Sequence, residues 1–358
     1  MKHLKSLFTA ITLTTAALTF FPADAKKPRE LWLGADISGT TDDEGRGVYS
    51  ADTLGMRTEN TQLMKKYGMN AVRLRVWVNP KGGWSSKEDV LVMAKRAKAL
   101  GMEIMIDFHY SDWWADPGKQ NIPAEWANYD LPKMKEALAE HTASTLQLLK
   151  DNGINVKWVQ VGNETRDGFL WPMGQFSKGN MANYAELSNA GYDATKSVYP
   201  DAQVIIHFDN GFDNALYNRL LDGLKALGAK WDIIGMSVYP FWAIEGKFEP
   251  DAETTLRDAV HNIRELHKKY HCDIMIVETG VEASKPQEGL EFMNKLFDAV
   301  INDCDGACTG VFYWAPETFI THDALGNTFG YALGAFEKAQ PTKILLSFPR
   351  AKHLYEAK

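Results

Sequence analysis

Short apolar runs alternate with longer amphipathic segments along most of the chain. The runs are rich in residues that favour strands, as in Ile104-Met105-Ile106, and eight of them are predicted to be β-strands. The segments between them repeat their apolar positions about every 3.6 residues, which predicts helices. The predicted strands are residues 31–36, 71–76, 103–108, 157–162, 203–208, 232–238, 273–278 and 309–314, and the predicted helices include 86–100, 134–150, 184–198 and 256–270.

Glycines support this division, because Gly68, Gly101, Gly153 and Gly228 stand where helices should end. Eight strand–helix alternations predict a (β/α)8 TIM barrel, a single α/β domain over residues 26–358. A doubly wound open sheet is the alternative. Residues 33–39 lack the G-x-G-x-x-G spacing that would favour its nucleotide-binding form. In the barrel, functional residues are expected at the C-terminal ends of the strands.

The first 25 residues have a different pattern from the rest. Lys2 and Lys5 precede an apolar run over residues 7–21, and Ala23-Asp24-Ala25 has the small-x-small cleavage pattern. These features predict a signal peptide over residues 1–25 and export to the periplasm or the extracellular space. The alternative is a membrane anchor, but five threonines interrupt the run and it is short for a span. No later segment predicts a membrane span.

Composition narrows the class of protein. The chain has 358 residues, of which 45% are hydrophobic and 24% charged, so a large core is available. A net charge of −7 without any basic block argues against a nucleic-acid partner. Eleven Trp, thirteen Tyr and seventeen Phe suit either a core or the apolar faces of sugars. We expect a monomer.

Three cysteines, Cys272, Cys304 and Cys308, are present. An exported chain meets oxidising conditions, so one disulfide and one remaining thiol are expected. The predicted topology places all three at the bottom of the barrel, where any disulfide would be structural. They have no histidine pattern typical of a zinc site.

The predicted strand ends carry polar and aromatic residues, whereas the strand bodies are apolar. This contrast is typical of a packed barrel with an active rim. The residues are Asp36, Arg75, Trp77, His109, Asn163, Glu164, His207, Tyr239, Glu278 and Trp314.

Two of these residues point to a reaction. Glu164 ends the run from Val159, and Glu278 ends the run from Ile274. Strands four and seven lie opposite each other across a barrel mouth, so the two carboxyl groups can face one substrate. Glycoside hydrolysis needs such a pair, about 5–5.5 Å apart in enzymes that retain configuration. The alternative is that each is a solvated or salt-bridged loop residue.

Several longer motifs resemble glycoside hydrolase family 53. They are GADIS (residues 34–38), VRLRVWVNP (72–80), DFHYSDWWADPGKQ (107–120), QVGNE (160–164) and SVYPFW (237–242). The motif at 107–120 is long and specific, whereas G-N-E is shared by a whole clan of retaining enzymes. The resemblance implies a retaining endo-β-1,4-galactanase that acts on the β-1,4-galactan of type I arabinogalactan. Another endo-β-1,4-glycanase of the clan, a mannanase or a cellulase, is the alternative.

The resemblance also implies roles for single residues. Glu164 matches the acid/base and Glu278 the nucleophile. Asn163 is expected to bind the sugar 2-hydroxyl. Arg75 is expected beneath Glu278, where its charge would lower the carboxyl pKa, or else in a salt bridge of the barrel floor. Tyr239 is expected to donate to Glu278, or to pack before Pro240.

Other residues are expected around the substrate. His109 and Trp113 should line the subsite of the cleaved galactose, although His109 could be a structural hydrogen-bond partner. Trp314 should form a stacking floor. Asp36, Asp112 and Asp116 either bond sugar hydroxyls or hold the long third loop. Trp84, Trp126, Trp171 and Trp242 either extend the groove or serve in packing.

No cofactor is required by this chemistry. Some bacterial relatives carry calcium between the loops after strands seven and eight, so a structural calcium ion is the alternative. Here the loop from Thr279 to about Pro286 is short. The loop after strand eight contains Asp323 and Asn327 but no EF-hand-like spacing, so no metal site is predicted.

Overall fold

Eight parallel strands close into a barrel with helices around it. The structure is a computed structural model that describes residues 30–322 and 328–358. Each strand pairs with its sequence neighbours, and β1 pairs with β8 to close the sheet. The predicted TIM barrel is therefore confirmed. The predicted signal peptide, Asp323 and Asn327 lie outside the described residues.

The observed strands agree closely with the predicted ones. β4 is two residues shorter than predicted, β1 and β6 are each one residue shorter, and β7 and β8 are each one residue longer. The strands are β1 Trp32–Asp36, β2 Ala71–Val76, β3 Glu103–Phe108, β4 Trp158–Val161, β5 Gln203–Phe208, β6 Ile233–Val238, β7 Asp273–Thr279 and β8 Cys308–Trp314. Two short hairpins follow, β9 Thr321–His322 with β10 Thr328–Phe329 and β11 Phe336–Glu337 with β12 Gln340–Pro341.

Several helices begin at recognisable capping residues. Ser86, Asp130 and Asp251 each accept a hydrogen bond from the first turn of the following helix. The four glycines predicted as helix stops all have positive φ. The helices are α1 Thr40–Gly45, α2 Asn60–Lys66, α3 Lys87–Ala99, α4 Leu131–Asp151, α5 Met181–Val198, α6 Asn214–Ala226, α7 Pro240–Glu245, α8 Ala252–Tyr270, α9 Pro286–Asn302 and α10 Ser347–Glu356.

The barrel interior changes character along its axis. Its lower part is an apolar layer that includes Trp32, Met105, Trp158 and Phe312. One or two residues further along the strands, buried polar side chains take over. They include Asp36, Arg73, Asp107, Gln160, His207 and Glu278. The chemistry is thus held on rigid strands above a packed floor.

All three cysteines lie near the N-terminal ends of β7 and β8, the end opposite the polar layer. Their thiols are free in the structure, so the expected disulfide is not formed there. Burial raises the pKa of Cys272 and of Cys308 to about 11. These thiols are therefore protonated at neutral pH and poorly reactive.

Among residues 30–322 and 328–358, no helix has both the length and the apolar character needed to cross a bilayer.

Candidate active site

A cavity of about 480 Å³ opens where the strands end. Glu164 and Glu278 both line it, one from the β4 side and one from the β7 side. The strand count had placed these two carboxyl groups across one mouth, and the structure brings them into one cavity. Glu164 has a φ of +47°, a left-handed conformation uncommon outside glycine.

A β-bulge directs Glu278 into the barrel. Along β7, Met275 and Val277 belong to the inner apolar layer, whereas Ile276 packs outside against the helices. Strict alternation would send Glu278 outward as well. The pairing of β6 with β7 shifts between Met236 and Ser237, so that Ser237 pairs with Glu278. The extra residue returns Glu278 to the inside.

Arg73 is the cation beneath Glu278. Its guanidinium is fully buried and lies 2.8 Å from a Glu278 oxygen, 2.8 Å from Asp36 and 2.9 Å from Asp107. The contact with Glu278 is an ion pair rather than an aligned hydrogen bond. The expectation that Arg75 fills this position is wrong.

Arg75 lies one inward-facing position further along β2 and is used differently. Its guanidinium donates to Ser85 at 3.1 Å and lies over the rings of Trp77 and Trp114, at 4.5 and 3.9 Å from their centroids. Arg75 therefore supports the aromatic wall through cation–π contacts. Neither the predicted position beneath Glu278 nor a contact with the cavity is found for it.

Each glutamate receives one hydroxyl donor from β6 or its end. Tyr239 donates to Glu278 Oε2 at 3.2 Å, as predicted. Ser237 donates to Glu164 Oε1 at 2.6 Å and lies 3.0 Å from Nε2 of His207. Since His207 Nδ1 accepts the backbone N–H of Glu164, its proton is on Nε2 and points to Ser237. Both carboxyl groups are oriented before a substrate arrives.

Burial and neighbouring charges decide which of the two carboxyl groups carries a proton. Burial raises the pKa of Glu278 to about 7, although Arg73 opposes the shift. The expected lowering of this pKa is therefore wrong in net direction. Burial also raises the pKa of Glu164 well above its usual value, and the nearby charges of Glu278 and Asp209 raise it further. A proton between the two residues resides on Glu164, because only Glu278 has a cation in direct contact.

Asn163 and His109 belong to the same polar layer. Asn163 Oδ1 accepts from Arg73 at 2.7 Å, and its Nδ2 donates to the carbonyl of Ala115 at 2.9 Å. His109 Nδ1 accepts the N–H of Ala115, so its Nε2 donates to Asp107 at 2.9 Å. Both side chains line the cavity in fixed orientations. One amide hydrogen of Asn163 remains free for a ligand.

The aromatic wall of the cavity consists of Trp114, Trp314 and Tyr331. The ring of Trp314 lies 5.7 Å from Trp114 and 4.7 Å from Tyr331, centroid to centroid. Trp314 was expected to form a stacking surface, and it lies where it could do so. Trp113 was expected to line the cavity as well, but it is 55% exposed and packs on Trp77 outside. Its neighbour Trp114 takes that position.

Of the three aspartates, Asp112 and Asp116 lie where one of the expected roles is possible, and Asp36 takes neither role. Asp36 is buried beneath the cavity and binds Arg73 and Ser38, so it contacts no substrate directly. Asp112 accepts backbone N–H groups of Asn79 and Ala124, which holds the loop after β3. Asp116 lines the cavity while also pairing with Lys119.

The four loop tryptophans also divide. Trp242 lines the cavity and is 49% exposed. Trp126 is buried against His141, Trp84 packs over Gly45, and Trp171 donates to the carbonyl of Asp167. Only Trp242 therefore extends the cavity.

Sequence reasoning missed the side of the cavity next to Glu164. Asp209 and Arg166 form an ion pair there at 3.0 Å, with Asp209 7% exposed. Oδ1 of Asp209 has no hydrogen-bond partner among the described residues. Phe212 and Phe248 complete this side, and Phe248 is 57% exposed. An unpartnered carboxylate oxygen beside exposed rings suits a sugar.

Some of the missed residues carried a signal in the sequence. Arg73, Asp107 and Gln160 stand inside apolar strands, and a charged or amide side chain there has to find polar partners in the interior. Asp209 and Ser237 stand at or near strand ends and fit the same rule as the predicted residues. Phe248 follows a short helix, and no pattern in the sequence marks it.

No group of three or more His, Cys, Asp or Glu residues that could hold a metal ion occurs in the described ranges.

Comparison with known proteins places this geometry in a family. The model of glycosyl hydrolase family 53 matches residues 32–341. A probable arabinogalactan endo-β-1,4-galactanase A of Neosartorya fischeri is 32% identical over 320 residues, which cover 83% of this chain and 86% of the relative. The arabinogalactan endo-β-1,4-galactanase A of Aspergillus niger is 30% identical, over 88% and 90% of the two chains.

Solved structures are similar over nearly the same range. A fungal β-1,4-galactanase superimposes with a TM-score of 0.78 at 27% identity, covering 89% of this chain and 99% of that one. The GH53 catalytic domain of Ignisphaera aggregans gives a TM-score of 0.79, also at 27% identity, over 90% and 97% of the two chains. The range matched by the family model, residues 32–341, includes all eight strands of the barrel.

Proposed function

The chain belongs to glycoside hydrolase family 53, and from this premise we propose that it is a retaining endo-β-1,4-galactanase acting on the galactan of type I arabinogalactan. The observation that carries the proposal is the pair of buried carboxyl groups, Glu164 and Glu278, in one cavity with only Glu278 in contact with a cation. The choice of galactan as the substrate is supported by the relatives that are named as galactanases.

In the first step Glu278 attacks the anomeric carbon. Its Oε1 is buried against Arg73 and Tyr239 donates to Oε2, so the carboxylate is held in a fixed orientation for the attack. The bond from that carbon to the glycosidic oxygen breaks as Glu164 donates its proton to the oxygen. The raised pKa of Glu164 keeps this proton in place until it is needed.

In the second step a water molecule displaces Glu278 from the sugar. Glu164 is now a carboxylate and accepts a proton from the water molecule that attacks the anomeric carbon. The ester bond to Glu278 breaks, and the sugar leaves with its original configuration. Once the sugar has neutralised Glu278, the repulsion that raised the pKa of Glu164 is weaker. This change suits the switch of Glu164 from acid to base.

The leaving part of the substrate is placed on the side of Asp209 and Phe248. A general acid has to reach the glycosidic oxygen, so the departing sugar must lie beside Glu164. The polar side chains of Asp209 and Arg166 line this part of the cavity and can bond the hydroxyl groups of that sugar, and Phe248 can pack against its C–H face. Phe248→Ala is expected to raise the KM for galactan several-fold. An unchanged KM would contradict this placement.

Substrate and stereochemistry are tested together. Unbranched β-1,4-galactan, β-mannan and cellulose are incubated with the enzyme, and products are followed by chromatography and by proton NMR. We expect internal cleavage of galactan alone, with the β-anomer appearing first. Preferential cleavage of mannan or cellulose would favour the alternative, another retaining glycanase of the same clan. First appearance of the α-anomer would exclude the retaining mechanism.

The two glutamates are distinguished by azide rescue. Glu278→Ala and Glu164→Ala should each lower galactan cleavage by at least about 10²-fold while the fold persists. With an activated aryl galactoside, azide should yield the α-galactosyl azide from the Glu278 variant and the β-azide from the Glu164 variant. The opposite products would reverse the assigned roles. Near-normal cleavage by either variant would exclude the assignment.

Export is a further part of the proposal. The basic start, apolar run and A-x-A pattern of residues 1–25 are typical of a cleaved signal peptide. The protein is therefore expected to act outside the cytoplasm, where polysaccharides are encountered. Mass spectrometry of the expressed protein should find Lys26 at the new N-terminus. An intact Met1 on membrane-bound protein would instead indicate an anchor.

A further inference from the structure

A second pocket lies at the same end of the barrel as the catalytic cavity. It has a volume of about 320 Å³ and is formed by the segment that runs from α1 into α2, together with Phe319 from beyond β8. It shares no lining residue with the catalytic cavity. Phe319 nevertheless comes only five residues after Trp314, which lines that cavity. The two depressions therefore border one rim.

The wall of this pocket is held rigidly. Residues 51–57, of which only Arg57 lines the pocket, form a tight loop that joins its lining segments, and in this loop Asp52 accepts the N–H groups of Leu54 and Met56. The loop is tied to the β11–β12 hairpin, because the N–H of Ala51 donates to Ala339 at 2.7 Å and Gln340 donates to the carbonyl of Asp52 at 3.0 Å. A preformed wall of this kind lowers the entropic cost of binding.

The floor holds an unpartnered polar atom. Asn60 is 6% exposed and lines the pocket, and its Nδ2 donates to Thr40 at 3.1 Å. Its Oδ1 is buried and has no hydrogen-bond partner among the described residues. A buried acceptor without a partner is unfavourable, so a donor group of a ligand that can reach it would stabilise the site.

The charges of the pocket are largely compensated. Glu44 and Glu59 are paired with Arg96, at 2.8 and 3.3 Å. Arg57 lies over the ring of Tyr49, 3.1 Å from its centroid. A metal ion would need a group of carboxylates, and none of the required kind occurs in the described ranges. Mixed donors and acceptors beside an aromatic ring suit a neutral polyhydroxylated ligand.

The edge of the pocket offers apolar surface as well. Val48 and Tyr49 are 44% and 37% exposed, and Phe319 lies on the other side. Sugar rings combine hydroxyl groups at their edges with apolar C–H faces, which such a surface can cover.

We propose that this pocket is a distal subsite that binds a β-galactosyl unit of the same polysaccharide. The inference rests on the proposed function for the identity of the sugar. A chain held in both places dissociates only when both contacts are lost, so the pocket raises the affinity for long substrates. Short oligosaccharides that occupy only the catalytic cavity gain nothing from it.

The test uses two lining residues and a matched control. Tyr49→Ala and Gln62→Ala remove parts of the pocket wall, whereas Leu54→Ala changes an 80% exposed residue of the same loop outside it. We expect both pocket variants to raise the KM for unbranched galactan about three- to tenfold. The kcat on galactotriose should be unchanged, and Leu54→Ala should behave as the wild type. An unchanged galactan KM in both pocket variants would overturn the proposal.

A binding measurement separates this inference from the proposed function. Electrophoresis in gels containing galactan measures retardation without turnover when every protein carries Glu278→Gln. The pocket variants should be retarded less than the Leu54→Ala control in galactan, and none should be retarded in dextran. Equal retardation of all variants would refute the subsite. Failure of the wild type to cleave galactan would refute the proposed function, whatever the gels show.

Discussion

Arg73 carries one positive charge among three buried carboxyl groups. It contacts Asp36, Asp107 and Glu278 at 2.8 to 2.9 Å and is itself fully buried. Charges removed from water are stable only when their partners and hydrogen bonds are in place. Since acids outnumber the cation, the cluster holds protons more tightly than separate carboxylates would. Burial is the main cause that raises the pKa of Glu278 above its usual value, and the excess of acids adds to this shift while Arg73 opposes it.

The pH dependence of activity follows from these two carboxyl groups. Cleavage requires Glu278 ionised and Glu164 protonated, so kcat/KM should rise with pH through about 7 and fall once Glu164 loses its proton. Ser237→Ala removes a hydrogen bond that favours ionised Glu164. The pKa of Glu164 should then rise, and the alkaline limb should move up by about one pH unit.

The acidic limb serves as the internal control for that variant, because the Ser237 hydroxyl donates to Glu164, whereas the carboxyl group of Glu278 receives its hydrogen bond from Tyr239. A pH–rate profile of wild type and Ser237→Ala measures both limbs. A shift of the alkaline limb to lower pH would contradict the assigned hydrogen bond.

Glu317 provides a prediction about stability. It is 3% exposed, and neither of its oxygens has a partner among the described residues. Burial raises its pKa well above the usual value. A carboxyl group with a raised pKa in the folded state costs stability as the pH rises above its unfolded pKa. Glu317→Gln should therefore raise the free energy of unfolding at pH 7.

At pH 4 the same substitution should change little, since Glu317 is then protonated in both states. Thermal or urea unfolding at the two pH values measures the difference. Equal effects at pH 4 and pH 7 would mean that the charge of Glu317 is not involved.

At the scale of residues, the side chains at the strand ends could be predicted from the sequence. How far each side chain reaches into the barrel or the cavity could not. Glu164, Glu278 and Tyr239 were located because each follows an apolar run. Arg73 and Arg75 stand two positions apart on the same face of β2, and the pattern does not say which one reaches Glu278. Trp113 and Trp114 are adjacent, and only the course of the loop decides which ring enters the cavity.

The strands as elements were predictable because their apolar runs are separated by capped helices. The β-bulge in β7 was not, because an extra residue in one strand leaves the run Ile274-Met275-Ile276-Val277 unchanged. The shift becomes visible only in the pairing of Ser237 with Glu278. The register between two strands depends on contacts between them, and the sequence of one strand does not show those contacts.

Gly34 in β1 is a second feature that only the assembled barrel explains. A Cβ atom added there would lie 2.2 Å from the ring of Phe312 on the paired strand β8. Gly34→Ala should therefore lower the free energy of unfolding by about 3 kcal/mol. Gly39→Ala is the matched control, because its nearest added contact is 4.0 Å away. Equal midpoints of unfolding for the two variants would contradict this account.

At the scale of the whole molecule, the last helix packs on the outside of the barrel against α9 and β8. Phe348 of α10 is fully buried, with its ring 5.0 Å from Phe297 of α9 and 6.5 Å from Tyr313 of β8. The C-terminal segment thus covers the closing strand of the sheet. The stability of the barrel around β8 therefore depends on a helix that does not line the catalytic cavity.

Phe348→Ala should lower the free energy of unfolding by about 3–5 kcal/mol, because it leaves a cavity between α9 and β8. Lys352→Ala on the exposed side of the same helix should change it by less than about 0.5 kcal/mol. Urea unfolding followed by fluorescence measures both. If Phe348→Ala unfolds like the control, α10 does not contribute to barrel closure.

The bulge in β7 has a consequence for protein design. An idealised barrel with perfectly alternating strands would direct the residue after Val277 towards the helices. Grafting this catalytic pair onto such a scaffold therefore requires one inserted residue in the seventh strand as well as the two glutamates. By the same logic, deleting a single residue of β7 would remove the nucleophile from the cavity while every chemical group remained in the chain.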